Sequence, residues 1–307
     1  MKNFNNFGVK VRSFPEYNYH AVWANLKTLR LGTGQAKQLP ADKSEFYDVS
    51  LGTKCNLQCP FCYVGATTNG RNYTNLVDKA NFFFGNMSEN DKPFQIACGS
   101  ESEPLVNPEC LDFFETIYKL GIVPNYTTNG ICIAKDDEWS EKILDTTRNY
   151  VGGVALSANT WNKQINETWR KAFKKLIDFG ETKINLHYII KDSKSVDEFI
   201  SIYDEFKDDT YYFVLLPLMN HGRSNETYSD DAFNKLIQKI GLDWSKIAFG
   251  ANFYHNLLTQ DKIKCWLYPP ESFSKNLILD DIIKITPSSF NLTPIKEIKY
   301  ERNNCDL

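Results

Sequence analysis

The chain has 307 residues, 42% hydrophobic and 14% aromatic, enough for one large α/β domain or two modest ones. Its 35 basic and 38 acidic side chains leave a formal charge of −3, which argues against a nucleic-acid partner. No apolar run is long enough to cross a bilayer and residues 1–10 lack a signal-peptide core, so a cytoplasmic protein with reduced thiols is expected despite eight cysteines.

The first 45 residues read as an extension. Tyr19–Trp23 and Thr28–Leu31 are two β-like runs that predict a hairpin, followed by a loop marked by Gly32, Gly34 and Pro40. From Phe46 onward, period-2 and period-3.6 patterns alternate, which predicts βα units and a parallel sheet. The strands expected are Phe46–Leu51, Phe94–Cys98, Ile122–Thr127, Val151–Leu156, Lys183–Ile190 and Tyr211–Leu216. Between them, helices are expected near 75–84, after Asn107 as N-cap and Pro108, near 138–146 and over 164–179, the last with Ile165, Trp169, Ala172, Phe173, Leu176 and Ile177 on one face. Ser195 and Glu198 predict a capping box for the fifth helix, and Ser229 caps a sixth over 230–240. Residues 241–307 read as short strands and loops, among them Ile263–Tyr268, Leu277–Leu279 and Ile282–Ile285.

The loop after the first of these strands reads Cys55-Asn56-Leu57-Gln58-Cys59-Pro60-Phe61-Cys62-Tyr63. Three thiolates crowded into eight residues repel one another unless a metal centre binds them, and zinc or an iron–sulfur cluster would serve. A structural zinc site takes four ligands, usually in two pairs. The remaining cysteines, at 98, 110, 132, 265 and 305, and the histidines, at 20, 187, 221 and 255, are scattered singly. A cluster held by three thiolates keeps one iron open to a small molecule.

Cys-x3-Cys-x2-Cys with an aromatic before the last cysteine resembles the signature of the radical S-adenosylmethionine (radical SAM) superfamily. The resemblance spans about residues 46–220. It implies a partial (β/α)6 TIM-like barrel over residues 46–240, an N-terminal β-hairpin extension over 1–45 and a short C-terminal extension over 241–307. Cys55, Cys59 and Cys62 would then bind one [4Fe–4S] cluster, with S-adenosylmethionine on the open iron. An external one-electron reductant such as flavodoxin or ferredoxin would drive its cleavage to a 5′-deoxyadenosyl radical, which takes a hydrogen from substrate. Two tail cysteines are too few for an auxiliary cluster.

Residues just past each strand are the expected cofactor contacts, as in barrels of this kind. By the resemblance, Phe61 and Tyr63 lie near adenine. Gly99, Ser102 and Glu103 stand where the family's Gly-Glu-Pro segment binds the methionine amino group, with Glu101 as the rival acid. Thr128 and Asn129 lie near the cofactor, and Ser157 and Asn159 reach ribose or carboxylate. His187 faces away from Leu186 and Tyr188, as a core residue or a contact for ribose or substrate. Pro217 lines the adenine site, His221 and Arg223 reach a substrate anion, and Cys265 is a candidate hydrogen donor. The substrate is unidentified, a peptide or small metabolite. The competing reading is a non-catalytic Fe–S or zinc protein for electron transfer or docking.

Overall fold

Alternating strands and helices occupy the chain from residue 46 onward. The computed structural model describes residues 7–24, 27–31, 39–181, 183–239, 244–250, 253 and 274–300. The chain divides into two units, residues 1–56, 67–125 and 271–307 in the first and residues 57–66 and 126–270 in the second.

The first unit opens with β1 (Val9–Phe14), β2 (Tyr19–Ala24) and β3 (Lys27–Leu31), an antiparallel sheet of three strands. The sequence predicts two of these. β1 is not among the expected strands: its apolar Val9 and Val11 lie on the exposed face, opposite Arg12 and Phe14, so its sequence shows no continuous apolar stripe. Phe14, Tyr19, Ala21 and Trp23 form the inner row, buried with Leu39, Phe94 and Val123. Arg12 shares that row, and its guanidinium donates to the carbonyls of Lys43, Ser44 and Asn90, which satisfies a buried cation.

The unit continues with β4 (Phe46–Ser50), α1 (Leu76–Phe84), β5 (Gln95–Cys98) and α2 (Cys110–Lys119). β6 (Val123–Thr128) straddles the division; Val123 N–H donates to Phe94 O at its first residue. The second unit holds the rest of β6, then α3 (Ile131–Ala134), α4 (Glu138–Tyr150), β7 (Val154–Ser157), α5 (Lys163–Asp178) and β8 (Ile184–Ile190). It ends with α6 (Ser193–Phe206), β9 (Tyr212–Pro217), α7 (Asp230–Lys239) and β10 (Ile247–Phe249). β7 to β10 pair in parallel, each with its predecessor. Back in the first unit, β11 (Ser274–Leu279) pairs parallel to β4, and β12 (Ile282–Thr286) and β13 (Lys296–Lys299) follow antiparallel.

The class is therefore α/β, with six βα units and a mostly parallel sheet, as expected. A closed eight-stranded barrel pairs its first strand with its last. Here the second edge of β4 is taken by β11 instead. The three-residue β10 and four-residue β13 were not predicted; so few residues carry no readable period. The expected strand at 263–268 lies outside the described residues.

Two expected caps differ. α6 starts three residues earlier than predicted: Asp192 Oδ1 accepts from Ser195 N–H at 2.9 Å and Ser195 Oγ accepts from Asp192 N–H at 3.0 Å. Asp192 is as good a cap as Ser195 and adds almost a full turn. Asn107 lies two residues before the cap position of α2, Glu109; its Oδ1 accepts from Glu109 N–H at 3.0 Å, while its Nδ2 donates to Leu51 O and Tyr73 O, tying two loops of the first unit together.

Each unit's core lies between one sheet face and its helices. In the first, Tyr47, Val49 and Ile96 are buried with Phe83, Phe84, Phe113 and Phe114. In the second, Leu156, Ile184, Leu186 and Phe213 are buried with Trp169, Phe173, Phe199 and Leu236. Burying each such side chain contributes ~2–3 kcal/mol. The opposite sheet face carries the polar strand residues, among them Asp48, Asn185 and His187.

Candidate cofactor site

The cysteine loop begins where β4 ends. In the first unit Thr53 N–H donates to Arg71 O at 2.8 Å and Cys55 N–H to Thr67 O at 2.9 Å, so the ends of the 53–71 excursion are pinned together. Gly70 is required there, because a Cβ would stand 2.2 Å from Thr53 O. In the second unit the tip turns on itself, with Cys62 N–H donating to Cys59 O and Gly65 N–H to Cys62 O, each at 3.2 Å.

None of the six described cysteines is in a disulfide. Cys98, Cys110 and Cys132 are buried, and burial pushes the Cys98 thiol far up from its ordinary pKa. Cys55, Cys59 and Cys62 keep partial access to solvent. The chemistry of the donor set, three accessible thiols on one irregular loop, fits an iron–sulfur centre. Among the described residues, no three His, Cys, Asp or Glu side chains converge as a preformed metal group.

After β5, Gly99 has φ +129° and donates its N–H to Val49 O at 3.3 Å. Ser100 and Ser50 share a hydroxyl–hydroxyl bond of 2.6 Å. Glu101 is buried, and burial raises its pKa. Ser102 is half-buried. Glu103 is buried; its N–H donates to Lys54 O at 3.1 Å and its carboxylate accepts from Leu105 N–H at 3.3 Å. After β6, Thr128 Oγ1 accepts from Gly130 N–H and Asn129 Oδ1 from Ile131 N–H, so both side chains shape the turn into α3.

In the second unit a cavity of about 630 Å³ opens at the carboxyl ends of β7, β8 and β9. Phe61 borders it from the cysteine loop, Asn159, Thr160 and Trp161 from the β7–α5 loop, Lys191 and Asp192 from the entry to α6, and Leu218 and Arg223 from the loop after β9. The Phe61 and Trp161 rings meet edge-on at 6.4 Å. Glu198 forms part of the wall; its Oε2 accepts from Thr160 Oγ1 at 2.9 Å and Tyr188 OH at 3.0 Å. Burial and that carboxylate push the Tyr188 phenol well up.

Of the expected contacts, Phe61 and Asn159 border this cavity. Ser157 and Pro217 end β7 and β9 one residue before lining residues Ala158 and Leu218. His187, on the sheet face opposite the helices, is half-buried by surface yet deep in the protein, and burial pulls its pKa down to about 4. Its ring is neutral at physiological pH. Asn185 shares that face, and its buried Oδ1 has no hydrogen-bond partner among the described residues. Tyr63 O accepts from His221 Nδ1 at 2.7 Å. Arg223, expected to reach a substrate anion, commits Nε to Cys59 O and Nη1 to Ala66 O, both at 2.8 Å. Gly99, Ser102 and Glu103 belong to the first unit. Cys265 lies outside the described residues. Thr160, Trp161, Lys191 and Glu198 were not predicted; looking one loop further along β7 and β8 would have found them.

No protein-family model matches the chain, and no curated protein does. Solved structures do. Streptococcus suis SuiB bound to the precursor peptide SuiA superposes with a TM-score of 0.60 at 14% identity, over 84% of this chain and 62% of that one. SuiB bound to S-adenosylmethionine gives 0.56 at 13%, over 80% and 60%. The chain shares the α/β fold of SuiB. At this identity the likeness to SuiB is one of fold, and the chain spans about three-fifths of the SuiB length. No helix among the described residues is long and apolar enough to cross a membrane.

Proposed function

We propose that the chain is a radical SAM enzyme with one [4Fe–4S] cluster held by Cys55, Cys59 and Cys62. The observation that carries the reading is the cysteine triplet itself, placed in the loop after the first strand of a parallel sheet that shares the fold of SuiB. When bound, the cluster supplies the electron that splits S-adenosylmethionine, and with it the 5′-deoxyadenosyl radical that takes a hydrogen atom from substrate.

The protein's own residues bind and orient. The cavity edged by Phe61, Trp161 and Asn159 takes the adenosine part of S-adenosylmethionine, its rings offering faces to the base and the Asn159 amide a polar contact. Glu103, with Gly99 and Ser102 around it, receives the methionine ammonium. Thr128, Asn129, Ser157 and Pro217 hold the strand-end loops in place. Neutral His187 and Asn185 offer hydrogen bonds to ribose or substrate from the sheet face. Residues 46–240 form the catalytic core, and an external flavodoxin- or ferredoxin-like reductant supplies the electron. SuiB is seen with a precursor peptide, and we take a peptide as the substrate class to test first.

Anaerobic reconstitution with iron and sulfide, then dithionite and S-adenosylmethionine, should yield 5′-deoxyadenosine. Cys59→Ala should take up no cluster and yield none. An intact cluster in the native protein that releases no 5′-deoxyadenosine would favour a non-catalytic iron–sulfur protein. Tightly bound zinc in its place would favour a structural metal site.

A further inference from the structure

No helix or strand spans residues 57–66, so something else must hold this loop in shape. The turn after β9, His221-Gly222-Arg223, grips it in the second unit. Arg223 N–H donates to Cys62 O at 3.0 Å, Arg223 Nε to Cys59 O at 2.8 Å and Arg223 Nη1 to Ala66 O at 2.8 Å. His221 Nδ1 lies 2.7 Å from Tyr63 O. Gly222 has φ +64°, and a Cβ on it would stand 2.3 Å from both Cys62 O and Tyr63 O, so no other residue allows this approach. Four carbonyls of the loop, two of them belonging to cysteines of the triplet, are thus met by one tripeptide about 160 residues further along the chain.

The geometry assigns to His221-Gly222-Arg223 the role of a clasp for the Cys59–Cys62 turn, with Arg223 its positioning residue. The assignment rests on the radical SAM reading for its consequence at the cluster, but not for the clasp itself. Two effects follow. The clasp fixes the backbone that carries two of the three thiolates, so it reduces the ordering required when a cluster is loaded. The guanidinium also places a full positive charge beside the peptide group of Cys59, where it offsets thiolate charge and favours the reduced, more negative state of a bound cluster. Nε and Nη1 reach two different carbonyls from one rigid plane, which an ammonium cannot reproduce. Lysine would keep the charge and lose part of the grip.

Gly222→Ala, Arg223→Gln and Arg223→Lys separate these effects. Amide hydrogen exchange on the full metal-free chain reads the clasp. Residues 57–66 should exchange at least ~10-fold faster in Gly222→Ala and Arg223→Gln, while the β8 amides keep native protection and so report an intact fold. Redox titration of the reconstituted cluster, followed by electron paramagnetic resonance, reads the charge. Arg223→Gln should show a more negative midpoint potential than the native protein, and Arg223→Lys should lie closer to native. Unchanged exchange over 57–66 in both Gly222→Ala and Arg223→Gln would overturn the clasp. A native potential in Arg223→Gln would overturn the electrostatic role. A native chain that takes up no cluster would instead defeat the superfamily reading, and the exchange measurement would still decide the clasp.

Discussion

Asp48 and His187 show how placement on the polar sheet face sets the behaviour of single residues. Burial alone raises the Asp48 carboxyl to about 7 and lowers the His187 imidazole to about 4. Both groups are therefore driven toward their neutral forms. Between about pH 4 and pH 7 the folded state holds a proton on Asp48 that the unfolded chain has released. Its contribution is full below the ordinary carboxylate pKa and is lost as pH rises through 7, by up to about 4 kcal/mol. His187 runs the other way: its contribution is present above the ordinary imidazole pKa and is lost as pH falls toward 4. The two slopes oppose each other between about pH 4 and 6.5. Asp48→Asn should remove the falling one, so that stability climbs with pH across this window and exceeds the native value at pH 8. Urea midpoints of the metal-free protein from pH 4 to 8 would check this, and a profile parallel to the native one would count against a buried, proton-holding Asp48.

At the scale of elements, α5 couples core packing to the cavity. Of its expected apolar stripe, Trp169, Ala172, Phe173 and Leu176 are buried, while Ile165 and Ile177 at its ends are only partly so. Trp169 packs against Phe206 at 5.3 Å, and its indole Nε1 donates to Asn159 O at 3.2 Å, in the loop that edges the cavity. Trp169→Ala should cost ~3–5 kcal/mol, because a large aromatic leaves a cavity that packed neighbours cannot fill. Trp169→Phe should retain most of that stability while releasing the loop, a split that urea melts and hydrogen exchange at 159–161 would resolve. The α6 cap teaches a different lesson. Asp192 and Ser195 both suit a helix start, and local chemistry does not rank them. Only once the helix takes Asp192 is Glu198 left to accept from Thr160 and Tyr188.

For the molecule as a whole, the decisive test of substrate class is isotope transfer. If a peptide is the substrate, one deuterated at its reacting carbon should pass deuterium into 5′-deoxyadenosine, while deuterated small metabolites should not. Mass spectrometry of the nucleoside reads the result, and transfer from a metabolite alone would redirect the reading. By itself, the sequence determined the order of strands and helices, the six βα units and the thiol-rich loop, because side-chain period and cysteine spacing are local properties. Tertiary structure decided which edge of β4 is taken by β11 and that burial neutralises Asp48 and His187. It also decided that Arg223, which could equally have met a ligand, turns back onto the carbonyls of Cys59 and Ala66. Those outcomes depend on segments brought together across more than 200 residues of chain, as in Phe46 beside Ser274, and no local pattern encodes which distant partner a donor will find.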